Sequence, residues 1–150
     1  MRVFETIESL GEAIGENLGP TEWLEITQER IDAFADATGD HQWIHVDVER
    51  AATGPFGATI AHGYLTLSLI PQFMPELLAI RTPGARLNYG LNKVRFAAPV
   101  PVGSRIRARA TIADVSEHPV GTQLVTQYVL EIDGVDRPAC VAETVTLLMA

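Results

Sequence analysis

The spacing of hydrophobic residues changes several times along the chain. Phe4, Ile7, Leu10 and Ile14 fall at helical spacing with Glu5, Glu8 and Glu12 between them, which predicts a short amphipathic helix closed by the breakers of 15–20. Residues 22–26 alternate and predict a short strand. Thr27 then suits the cap of a helix whose apolar stripe is Ile31, Phe34, Ala35 and Thr38. Gly39 closes that helix, because a glycine takes the left-handed backbone of a C-terminal cap at little cost. A loop over 40–47 follows, then a helical turn over 48–52 and a Gly/Pro-rich loop over 53–57. The apolar run from Ile60 to Ile80 predicts a mostly buried helix, kinked or broken near 70–75 by Pro71 and Pro75.

From Ala85 the period becomes two. Residues 105–112 alternate strictly, as does much of 122–132, and 139–148 is rich in Val and Thr. Turn signals stand between them at 101–103, 118–121 and 133–134. Three or four long antiparallel strands after the helices, with one short strand before them, predict an α+β fold. The apolar helix, with Tyr64, Leu65, Leu67 and Phe73 and almost no polar stripe, is expected to lie across one face of the sheet. A second subunit would complete its cover.

Composition narrows the classes. With 150 residues, 47% of them hydrophobic, the expectation is one domain over 1–150. A formal charge of −8 argues against nucleic acid and anionic lipid as partners. The single cysteine, Cys140, excludes an internal disulfide, and no Cys/His cluster has zinc-ligand spacing. The acids at 5, 8 and 12 break any leader-like apolar core, and no run approaches the roughly 20 apolar residues of a membrane span, so a cytoplasmic protein is expected. The charge is unevenly placed: residues 1–50 hold 12 acids and 3 bases, whereas 77–113 hold seven bases and no acid. That basic segment reads either as a solvated strand face paired with acids or as an anchor for a phosphorylated small molecule.

Candidate chemistry is concentrated in the 40–47 loop, which holds two histidines and two aspartates. If the loop curls, Asp40 and His45 can share a water, one removing a proton and the other supplying one, which is the equipment for adding water across an activated double bond. The bland alternative is an Asp that caps a helix end and a His satisfied by backbone. Metal binding by this group matches no recognised ligand spacing. Gly63 opens the apolar helix, where amides lack internal partners, and its N–H can hold a developing oxyanion. A plain packing glycine is the competing reading.

The stretches 37–45 (ATGDHQWIH), 61–65 (AHGYL) and 88–100 (NYGLNKVRFAAPV) resemble the MaoC-like dehydratase family, which includes the (R)-specific enoyl-CoA hydratases. The resemblance covers roughly residues 20–149. It implies a hot-dog fold, a curved antiparallel sheet wrapped around a central helix, as a homodimer acting on an acyl-CoA without metal or other cofactor. Asp40 and His45 map onto the family's acid/base pair and Gly63 onto its oxyanion amide. Gln42 and Trp43 stand where family hydratases carry Asn-Pro. With His62 and Asn88 they form the expected substrate-contacting set, and Arg86, Lys93 and Arg95 are the candidates for the coenzyme A phosphates. The implied reaction is (R)-specific hydration of a trans-2-enoyl-CoA, or the reverse dehydration. An acyl-CoA thioesterase and a non-catalytic acyl-ligand binding protein are the rivals on the same fold.

Overall fold

The computed structural model describes residues 1–150. Strand β1 (Arg2–Phe4) leads into helix α1 (Ile7–Glu12), where Thr6 and Ser9 form a reciprocal capping box. Two short strands, β2 (Asn17–Leu18) and β3 (Leu24–Glu25), precede helix α2 (Gln28–Thr38). Thr27 caps α2 by accepting from the Arg30 amide at 3.2 Å, and Gly39 ends it with φ 77°. The expected 40–47 loop contains a helical turn, α3 (Trp43–Val46), so His45 sits on a helix and Asp40 just before it. Helix α4 (Val48–Ala52) follows.

The apolar run 60–80 departs from a single kinked helix. Its first three residues are not helical; α5 (Gly63–Ser68) and α6 (Ile70–Leu77) meet at Leu69, and Leu78–Ile80 form strand β4. The break has a steric cause, since in one continuous helix the Pro71 ring would meet the Leu67 carbonyl. Restarting at Ile70 puts Pro71 in the first turn, where an amide has no intrahelical partner. Nor is the run buried throughout, because Tyr64 is 71% exposed.

Four long strands complete the chain: β5 (Arg86–Arg95), β6 (Arg105–His118), β7 (Gly121–Ile132) and β8 (Val135–Met149). The six-stranded sheet runs β2-β6-β7-β8-β5, with β3 also on β6, and all its pairings are antiparallel. The expected single short strand is four: β1 and β4 form a separate parallel pair that ties the N-terminus to the end of α6. Period two holds along β6, where Ile106, Ala108, Ala110 and Ile112 are buried and Arg105, Arg107 and Arg109 face outward.

Helix α5 packs on β8 and α6 on β6. Phe73, Leu77, Ile106, Ile112 and Leu130 sit in the 27-residue core between these layers. On the outward face Glu131 of β7 accepts from Arg107 Nε at 2.6 Å and Arg109 Nε at 2.9 Å, while Arg105 pairs with Asp133. Burial pushes the Glu131 carboxyl up, but the two arginines outweigh it and hold it below the usual range. Much of the basic segment is therefore paired with acids: the arginines of β6 with acids of β7 and its turn, and Arg81 with Glu5 of the N-terminal half at 3.0 Å. No helix is long and apolar enough to cross a membrane.

Candidate active site

Two separate segments meet beside the start of α5. The left-handed Gly39 turns the chain out of α2, and the Asp40 carboxylate then accepts the Gln42 amide at 3.3 Å, which starts the turn of α3. That turn carries His45 inward, to 7% exposure, and its Nδ1 lies 2.7 Å from the Ile60 carbonyl. Ile60 returns the bond through its own amide to the Ile44 carbonyl at 3.0 Å, so segments 42–46 and 59–62 are stitched together. With Nδ1–H donating to that carbonyl, His45 is left with a lone pair on Nε2.

His62 completes the cluster. Its ring stacks on that of His45 with centroids 3.8 Å apart and 23° between planes, and the side chain is 3% exposed. The Asp40 side chain, 49% exposed, reaches the cluster from the solvent side. A carboxylate oxygen of Asp40, a nitrogen of His45 and a nitrogen of His62 all lie within 4.8 Å of one another. Two hydrogen bonds of about 2.8 Å span about 5.6 Å, so one water fits between Asp40 and His45.

A cavity of about 330 Å³ opens on this cluster. His45, Phe56, Gly63, Thr66, Phe96 and Ala139 are among its lining residues. Gly63 is the first residue of α5, so its amide has no carbonyl one turn earlier to bond. His62 does not line the cavity; it stands behind His45. Gln42 and Trp43 begin the turn that carries His45, and Trp43 holds the Arg50 guanidinium over its ring at 4.3 Å.

The remaining sequence-predicted residues are dispersed. Asn88 and Arg86 line a second cavity of about 220 Å³ between α6 and the sheet, with Thr144 and Tyr128, and Arg86 donates to the Ile80 carbonyl. Burial pushes the Tyr128 hydroxyl up to about 12. Lys93 and Arg95 lie at the other end of β5, beside Gln127 and Glu143. Nine residue steps along the strand join Arg86 to Arg95, about 30 Å at about 3.3 Å each, so within one chain the three bases cannot share one phosphate group.

Sequence reasoning missed the support beneath His45. Gln28, the first residue of α2, donates from Nε2 to the His45 carbonyl and to Asp32 Oδ1, both at 2.8 Å, and accepts the buried Thr59 hydroxyl at 2.5 Å. A glutamine at a helix start and a threonine in a loop carry no local signal of this bridge. Phe96 was quoted only as part of a motif; its ring is the wall beside Gly63.

Residues 9–135 match the family described as MaoC like domain. The chain belongs to the MaoC-like family. It is 51% identical over the full length of both chains to the 3-hydroxyacyl-thioester dehydratase Z of Mycobacterium tuberculosis. Among solved structures it is similar to the monoamine oxidase regulatory protein of Archaeoglobus fulgius, with a TM-score of 0.80, 25% identity, and coverage of 99% of this chain and 96% of that one. The (R)-hydratase from A. caviae, at 22% identity, aligns with a TM-score of 0.68 over 90% of this chain and 96% of its own. The MaoC-like chain thus has the hot-dog fold, with α5 and α6 as the short, broken central helix, and its homologues include proteins named 3-hydroxyacyl-thioester dehydratase and (R)-specific enoyl-CoA hydratase.

Proposed function

We propose that the protein is one MaoC-like domain over 1–150 that interconverts a trans-2-enoyl-CoA and an (R)-3-hydroxyacyl-CoA. The observation that carries this reading is the approach, within 4.8 Å, of an Asp40 carboxylate oxygen to His45, which lines the 330 Å³ cavity. Conjugation to the thioester makes the β-carbon electrophilic. Asp40 accepts one hydrogen of the water and orients it, while His45 Nε2, the nitrogen left free by the bond to the Ile60 carbonyl, takes the other as the oxygen attacks the β-carbon. Charge then moves onto the thioester oxygen, which the Gly63 amide receives. The imidazolium passes its proton to the α-carbon, so H and OH have been added and the pair is restored.

Lys93 and Arg95 are the phosphate contacts in this reading. Both are exposed, and they immediately precede Phe96, which lines the cavity, whereas the Arg86 guanidinium is committed to Ile80. The active form is a homodimer joined through β5. That strand has an unpaired edge, is solvent-exposed along nearly its whole length, and carries the exposed Leu87, Tyr89 and Leu91, while the exposed Tyr64 of α5 meets Phe96, the residue after the strand, edge-on at 6.3 Å.

The test is direct. Purified protein is given crotonyl-CoA and longer enoyl-CoAs, and loss of the conjugated enoyl absorbance is followed beside release of free thiol. Absorbance loss without thiol is the expected result. Thiol release at the same rate would make the protein a thioesterase, and no change in either would leave only a binding role.

A further inference from the structure

His62 is the buried histidine that the proposed hydration does not use, and its surroundings are unusual. It is the residue before α5, yet its side chain makes no cap for that helix. It turns away instead, and Nε2 lies 3.0 Å from the main-chain carbonyl of Asp40, 22 residues earlier, and 4.0 Å from Asp40 Oδ2. One face of the ring covers His45 at 3.8 Å, and the Phe34 ring of α2 lies 5.0 Å away. Nδ1 is buried with no hydrogen-bond partner. An unpaired buried nitrogen destabilises a fold relative to an apolar residue of the same shape, so packing alone does not favour a histidine here.

The useful group is the other nitrogen. With Nε2–H donating, His62 bonds the Asp40 carbonyl, while on the other side of the residue the Asp40 amide donates to the Thr38 hydroxyl at 3.4 Å. Asp40 follows a glycine and is half in solvent, and the other bond to its carboxylate is the Gln42 amide at 3.3 Å. We propose that His62 is a positioning residue that acts through Asp40: its N–H anchors the Asp40 backbone while its ring backs His45, setting the separation of the pair. It touches no reacting atom, which also explains its absence from the cavity wall.

This inference rests on the Asp40/His45 reading, and a double-mutant cycle keeps the two apart. His62→Phe retains a ring but no donor, and His62→Gln retains an N–H at similar reach but no ring. With crotonyl-CoA, H62F is expected to lower kcat about 30-fold with KM within threefold and an unchanged circular-dichroism spectrum. H62Q is expected to recover most of that loss. On an Asp40→Asn background, H62F should cost less than a further threefold, because the carboxylate it positions is gone.

A kcat for H62F within threefold of wild type would overturn the proposal. So would losses that multiply in the double variant, or an effect confined to KM, which would mean direct contact with substrate. If H62F does not fold, His62→Met serves as the donor-less variant in the same comparison with H62Q. Wild-type kcat in D40N alone would overturn the pair itself, a result visible with His62 intact.

Discussion

The ring of Phe96 occupies the space that a side chain on Gly63 would need: a β-carbon added there would lie 2.9 Å from it. A side chain at the head of α5 would thus force the Phe96 ring to move, and this packing demand can be separated from any role of the Gly63 amide. Gly63→Ala is expected to lower the melting temperature and abolish hydration. Adding Phe96→Ala should restore the melting temperature and part of the activity, since the alanine amide still points from the helix start. Stability restored with no activity would place the chemistry elsewhere.

Asp40→Asn and His45→Gln are near-isosteric changes that remove proton transfer. Each is expected to reduce kcat by about 10²–10⁴-fold in the enoyl-CoA assay. Thermal melts should move much less for D40N, because the Asp40 side chain is half in solvent.

The residues that meet beside the start of α5 were legible in the sequence, and the framework that holds them was not. The Thr27 cap, the Gly39 terminator and the period-two run of β6 are local signals, and each is where the sequence placed it. The break at Leu69 was misplaced by a residue or more because a proline disturbs the turn before it and not its own position. Strands β1 and β4 are three residues each and gain their pairing only when the N-terminus meets the end of α6, a contact no local window contains. Gln28 and Thr59 are 31 residues apart and had no motif to announce them. Asp40 and His45 stand out because ionisable side chains are dense over 40–47; that the His62 ring turns onto His45 does not, since sequence shows adjacency to Gly63 and not which way a ring turns.

The depressed Glu131 carboxyl makes a pH statement. A group whose folded pKa lies below its unfolded one stabilises the fold above the unfolded value and loses that contribution as pH falls through the folded one. Glu131→Gln should therefore melt below wild type at pH 7, by a few degrees, and the gap should close below about pH 4. A gap that persists in acid would point to packing in place of the Arg107 and Arg109 pairs.

Neutralising Lys93 and Arg95 together is expected to raise KM for enoyl-CoA about tenfold and flatten its salt dependence, with kcat unchanged, because phosphates bind alike in ground and transition states. A pantetheine thioester should show no such response. Equal losses on both substrates would rule out phosphate contacts.

Tyr89, 61% exposed on β5, provides a test of assembly. Light scattering at micromolar concentration is expected to give twice the 16.3 kDa chain mass for wild type and a monomer for Tyr89→Glu. A wild-type monomer would remove the homodimer from the proposal.

The bonds between His45, Ile44 and Ile60 close off the excursion of residues 47–58 at its base. Its far side sends Phe56 into the cavity wall, yet no member of the Asp40, His45, Gly63 set lies within it. If Asp40, His45 and Gly63 react as proposed, exchanging that excursion between relatives is expected to reshape the cavity wall at Phe56 while leaving those three residues in place, so the clasp makes that wall a replaceable part.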